Sequence, residues 1–156
     1  MRLWHKDLIK CLPREQLVAQ WRELSAIAGA IQKNGTPNHI LINFVLDYDY
    51  DHFISYAYYL RQEMTSRGYR TMNSVWDKIN ALKPNATILS LEEIYPEKMD
   101  DTYLKICYYN LLEKYSCGGI SNEDYYKIMS CDIFAESKFD DLFSHGYYYK
   151  NLAKGN

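Results

Sequence analysis

The sequence predicts an all-α protein, a compact helical bundle. Residues 14–33 carry a sustained apolar repeat of helical period, and helix start and stop signals recur along the rest of the chain. Only residues 40–46 look strand-like, and one isolated strand does not make a sheet.

The first helix is the clearest. Leu17, Trp21, Leu24, Ala28 and Ile31 recur at i, i+4, i+7, i+11 and i+14. Pro13 suits the first turn, where its missing N–H costs nothing. Asn34-Gly35 ends the helix and Pro37 opposes its continuation. Glu23 falls on the flank of the apolar stripe, a position compatible with half burial or with an ordinary surface residue. Residues 47–52, Asp-Tyr-Asp-Tyr-Asp-His, form an acidic loop into a second helix with Phe53, Ala57, Leu60 and Met64 as its stripe and Arg67-Gly68-Tyr69 as its stop. A shorter helix is expected from Asn73 or Ser74 to Leu82, with Asp77 placed for a capping box. Residues 83–99 hold two prolines and read as loop with a helical turn around Leu91 to Ile94. Asp100 or Asp101 can cap a fourth helix through Tyr115, which Gly118-Gly119 interrupts. Ser121 and Asp124 form another capping box, opening a helix to about Cys131.

Composition narrows the function. A chain of 156 residues with 47% hydrophobic and 24% charged residues suits one globular domain and not a disordered segment. No apolar run approaches the roughly 20 residues of a membrane span. Arg2, His5, Lys6 and Asp7 interrupt the start, so it does not read as a secretory signal, and the cytoplasm is the expected compartment. Cys11, Cys107, Cys117 and Cys131 form no CxxC pair, and the four histidines complete no zinc-ligand spacing. They read as core or bystander thiols, although two could meet in space, and no metal or cofactor is expected. The net charge of −2 does not advertise a nucleic-acid binder. The distribution is uneven, however: residues 1–46 hold six Lys/Arg against three Asp/Glu. A phosphate-contacting surface would therefore draw on Arg2, Lys6, Lys10, Arg14, Arg22 and Lys33; the alternative is an ordinary solvated surface.

Four stretches together resemble the pyrimidine-dimer DNA glycosylase/AP lyase family of the phage endonuclease V type, including its bacterial branch. The opening Met1-Arg-Leu-Trp-His-Lys-Asp-Leu-Ile9, followed by Leu12-Pro13-Arg14 and Gln16-Leu17, is the most specific. The segment around Trp21-Arg22-Glu23-Leu24 resembles the family's Tyr-Arg-Glu-Leu helix. His39-Ile-Leu-Ile-Asn43-Phe-Val45 and Glu63-Met-Thr-Ser-Arg67-Gly68-Tyr69 match segments of the bacterial branch. The likeness is good over about residues 1–70 and holds only in outline over 71–115.

The resemblance implies a single endonuclease V-like domain over 1–156, with 116–156 as a C-terminal extension and the N-terminal segment packed between helices. It implies catalysis by the chain's own α-amine. That amine attacks C1′ of a damaged nucleotide, the base leaves, and the resulting imine permits β-elimination. An α-amine has a reference pKa of about 7.7–8.0 against about 10.4 for lysine, so more of it is neutral near pH 7. Met1 would supply the amine and Glu23 the acidic partner. Arg2 is not small, so the initiator is expected to remain. Arg2, Arg22, Lys6 and Arg14 would contact damaged double-stranded DNA. The tail Gly146-Tyr-Tyr-Tyr-Lys150 resembles an aromatic-basic DNA-contacting terminus, with Lys150 on phosphate, or packs on its own helices. The chain departs from the phage pattern in carrying Ala26 where an arginine stands and Gln16 where a histidine stands, and in being slightly acidic. Those departures suit a non-catalytic nucleic-acid binder of the same fold. A protein-interaction module using the acidic 47–51 loop is a third alternative.

Overall fold

The computed structural model describes residues 1–131, which form five α-helices linked by short 3-10 segments, with no β-strand among them. The helices are α1 (Arg14–Asn34), α2 (Tyr50–Ser66), α3 (Asn73–Asn80), α4 (Asp101–Ser116) and α5 (Asn122–Met129). The predicted all-α bundle is the observed one. No described helix is long and apolar enough to cross a membrane.

Helix α1 begins where proline allows it. Pro13 occupies the N-cap, and its carbonyl accepts the first helical bond from Leu17 N at 3.0 Å. Gly35 closes the helix at φ +74°, and its N–H returns to Ile31 O at 2.8 Å. All five members of the predicted stripe are buried, joined by Ile27 and by one polar residue, Gln20. Phe53, Ala57, Leu60 and Met64 of α2 are likewise buried, and α1 packs on both α2 and α3. Arg67 caps α2 while pairing with Glu63 at 2.8 Å, and its guanidinium also donates to Leu12 O and Lys10 O. One side chain thus ties the end of α2 to the start of α1.

Asp100 caps α4 by accepting from Tyr103 N at 2.8 Å, and Ser121 caps α5 by accepting from Asp124 N at 3.1 Å. Two local expectations fail. The strand-like residues 40–46 form a turn and a 3-10 segment, Asn43–Asp47. Ile42 and Val45 are the buried members, a spacing of three and not the alternation a strand needs. The Asn43 side chain also accepts from His39 N at 2.9 Å, giving the backbone a local alternative to pairing. At α3 the helix starts at Asn73, one of the two expected starts, and ends at Asn80, two residues before Leu82, but no Ser74–Asp77 capping box forms: Met72 is the N-cap, with no side-chain cap. Asn73 Oδ1 is instead held by Arg61 at 2.7 Å.

Two of the four cysteines do meet. Cys11 and Cys131 interact, their thiols donating to Leu8 O at 3.4 Å and Asp7 O at 3.9 Å, and the neighbouring Cys131 thiol together with burial pushes the Cys11 thiol far up from its ordinary value. Cys107 is buried and Cys117 exposed; all four are free thiols.

Candidate active site at the N-terminus

The first residues of the chain run between helices without a partner strand, so their peptide groups require side chains to satisfy them. Three helices supply these. Gln20 of α1 donates through Nε2 to Arg2 O at 3.0 Å and accepts through Oε1 from Trp4 N at 2.8 Å. Tyr56 of α2 donates to Trp4 O at 2.7 Å, and Tyr103 of α4 donates to Leu3 O. His5 continues the anchoring: its Nδ1 accepts from Asp7 N at 3.1 Å, which leaves Nε2–H to donate to Met99 O at 2.9 Å. Burial lowers the His5 pKa, in keeping with that neutral ring.

Gln20 organises the site. It is fully buried on the apolar face of α1, where an unpaired amide would be costly. A primary amide has two donor hydrogens and two acceptor lone pairs, and Gln20 uses both donors and at least one acceptor position. Besides Arg2 O and Trp4 N, its Nε2 donates to Glu23 Oε2 at 2.9 Å, and its Oε1 lies 3.0 Å from Tyr56 OH, whose one proton is shared with the closer Trp4 O. The same amide therefore fixes the N-terminal segment and the Glu23 carboxylate.

Glu23 lies one helical turn beyond Gln20 and is half-buried. Burial raises its pKa above the ordinary carboxylate value; the positive charges of the Met1 α-amine, His39 and Lys114 each act in the opposite direction. The amine thus acts on the carboxylate, although no ion pair within 4.0 Å joins them among the described residues. Met1 itself is 51% exposed. The arrangement is an exposed first residue whose amine acts electrostatically, beyond ion-pair distance, on a half-buried acid of raised proton affinity.

The expected DNA contacts divide. Arg22 is exposed next to Glu23. It shares with Arg14 and Arg70 a groove of about 410 Å³ floored by Val18, Trp21 and Val75, with no carboxylate in its lining. Arg14 stacks over the Tyr69 ring at 5.3 Å. Both Arg14 and Tyr69 also line an adjoining cavity of about 550 Å³ with Lys10, Arg67, Lys127 and Asp124. Arg2 is half-buried, with its guanidinium beside Tyr103 and Cys107 of α4. Lys6 corrects the expectation of an exposed phosphate contact. It is only 6% exposed, and its Nζ donates to Glu92 O at 2.8 Å and Ile94 O at 2.7 Å. Its ammonium replaces water for two loop carbonyls and so faces inward. Lys150 lies outside the described residues.

Sequence reasoning missed Gln20, Tyr56, Tyr103, His39, Lys114 and Arg70. A glutamine on the centre of an otherwise apolar stripe was the available signal for the first. Nothing local announces the others, which come from distant elements.

Residues 1–77, just short of half of the chain, match the family model described as pyrimidine dimer DNA glycosylase. No curated protein and no solved structure gives a significant match. The matched segment contains Met1, Gln20, Glu23, His39 and Tyr56, whereas Tyr103 and Lys114 lie beyond it on α4.

Proposed function

We infer that this protein is a DNA repair glycosylase with abasic-site lyase activity, acting on pyrimidine dimers or related damaged bases through an imine with the Met1 α-amine. The single observation that carries this reading is the Gln20 amide, which bonds Arg2 O and Glu23 Oε2 together and so joins the amine-bearing segment to an acid.

The neutral amine attacks C1′ as the glycosidic C–N bond breaks, and the base departs with the electron pair and a proton. The C1′ adduct loses its N–H proton and opens the sugar ring to an imine, the ring oxygen becoming a hydroxyl. The imine acidifies C2′–H; removal of that proton expels the 3′-phosphate by β-elimination, and water then releases the protein. Glu23 serves twice: its carboxylate stabilises positive charge developing at C1′, and it accepts and returns protons. A pKa raised by burial brings it closer to the pH at which it must do both. Arg14, Arg22 and Arg70 suit the flanking phosphates, since guanidinium groups bind them bidentately. Reaching C1′ requires a distorted duplex, which is easiest at a damaged and poorly stacked site.

Borohydride reduction tests the reading. Incubation with abasic or ultraviolet-irradiated duplex DNA is expected to leave a covalent adduct, which peptide mass spectrometry locates on Met1. Absence of any adduct from protein with a free α-amine, while duplex DNA is still bound, would sink the catalytic reading in favour of a non-catalytic binder using the arginine groove.

A further inference from the structure

In the connection between α1 and α2 the chain exposes an apolar side chain that the fold does not use. Ile40 is 89% exposed, and its neighbour Leu41 is 43% exposed. They sit on a stiff turn. His39 O accepts from both Ile42 N and Asn43 N at 2.8 Å, Asn43 Oδ1 accepts from His39 N at 2.9 Å, and His39 Nδ1 accepts from Leu41 N at 3.2 Å. Asn38 enters the turn in the left-handed region at φ +52°, and the fully buried Ile42 anchors it to the core. A β-branched side chain adds its own stiffness at χ1.

One set of contacts connects this turn to the N-terminal site, and His39 also acts electrostatically on the Glu23 carboxylate. From the same segment, Phe44 receives Lys98 Nζ over its ring at 5.2 Å, and that ammonium also lies 4.8 Å from the ring centre of Tyr103, whose hydroxyl bonds Leu3 O. The exposed tip therefore belongs to a segment that packs, through Phe44 and Lys98, against the Tyr103 ring that holds the N-terminal site, where the Met1 amine and Lys114 favour an anion.

We propose that Ile40 is a wedge that enters a base step of duplex DNA next to the lesion, unstacking it so that C1′ can reach the Met1 amine. The proposal rests on the glycosylase/lyase reading and adds a positioning residue to it. Proteins that kink DNA insert rigid apolar side chains between base steps, because a hydrocarbon can replace lost stacking while water cannot. A stiff, exposed isoleucine on a segment whose Phe44 is covered by the Lys98 ammonium has the required chemistry. An opened base step is also needed only when the substrate is double-stranded.

That last property gives the test. Borohydride trapping is measured for the native protein and for Ile40→Ala on one abasic oligonucleotide, both as a single strand and as a duplex. Because Ile40 is exposed, the substitution leaves folding essentially intact. The variant is expected to trap duplex about tenfold more slowly or worse, and single strand within about twofold of the native rate. Ile40→Leu, still apolar, should restore most of the duplex rate. Unchanged duplex trapping by Ile40→Ala overturns the wedge, and so does an equal loss on both substrates. Failure of the native protein to trap even the single strand instead removes the underlying reaction. In that case 2-aminopurine placed beside the abasic site still decides the wedge: its fluorescence should rise on binding native protein and not Ile40→Ala, and an equal response from both rejects the proposal.

Discussion

Gln20 and Glu23, three residues apart on α1, share a hydrogen bond from Nε2 to Oε2 at 2.9 Å, and the same nitrogen holds the carbonyl of Arg2 at 3.0 Å. The carboxylate is therefore not an independent surface group. Its position is set by the amide that holds the start of the chain, and a shift in either reaches the other.

Removing that amide should be costly. Gln20→Ala leaves Trp4 N and Arg2 O short of a partner, while the Tyr56 hydroxyl keeps Trp4 O. Each such group costs about 1–3 kcal/mol, and partial relaxation makes about 3 kcal/mol in total the expectation. The urea midpoint should fall with an unchanged slope. A loss below about 0.5 kcal/mol would show that the clamp carries no weight.

Glu23→Gln should separate stability from activity. Burial holds the Glu23 pKa above its ordinary value, against the pull of the Met1 amine, His39 and Lys114. A raised carboxyl stabilises the fold fully below its unfolded pKa of about 4.3, and that contribution is lost as pH rises through the folded value. The neutral variant is thus expected to melt higher than the parent near pH 7 and at the same temperature near pH 3, while imine trapping drops sharply. A lower melting temperature at neutral pH would contradict the burial argument.

Tyr103→Phe and Tyr56→Phe each delete one donor to the N-terminal segment, to Leu3 O and Trp4 O respectively. A loss of about 1–2 kcal/mol is expected for each. Hydrogen exchange should show the signature: the amide of Trp4, bonded to Gln20, exchanges faster in both variants, while amides in the middle of α1 keep most of their protection. Uniform loss of protection along α1 would mean the hydroxyls support the whole bundle and not the segment.

The cations should divide by position. Replacing Arg14, Arg22 and Arg70 together is expected to weaken duplex binding and to flatten the log–log salt dependence, by about 0.9 for each phosphate no longer neutralised. Lys6→Met should do the opposite. Its ammonium bonds two carbonyls, so stability falls while the salt slope of binding stays unchanged. A reduced slope in Lys6→Met would return that residue to the DNA-contacting surface.

Much of the helical layout was legible in the residues. The stripe of α1, the stop at Gly35, the end of α2 at Arg67-Gly68, and the caps at Asp100 and Ser121 are short-range patterns whose causes lie within a few residues. The strand expected at 40–46 failed because β-propensity has force only beside another strand, and here Asn43 closes a local turn instead. The inward-facing Lys6 escaped notice for a related reason: the loop carbonyls that hold it lie more than 80 residues away in sequence.

The sequence by itself determined the long helices and most of their ends, and its residues 1–77 carry the pattern that matches a glycosylase family model. Only the tertiary structure decided that Gln20 joins Arg2 to Glu23, that Tyr56 and Tyr103 hold the same segment from two other helices, and that the segment exposing Ile40 reaches the Tyr103 ring through Phe44 and Lys98. Helix formation is governed by neighbours along the chain, which a pattern records. The satisfaction of an extended segment's peptide groups depends on donors and acceptors brought together by packing, and residue spacing along the chain does not encode that proximity.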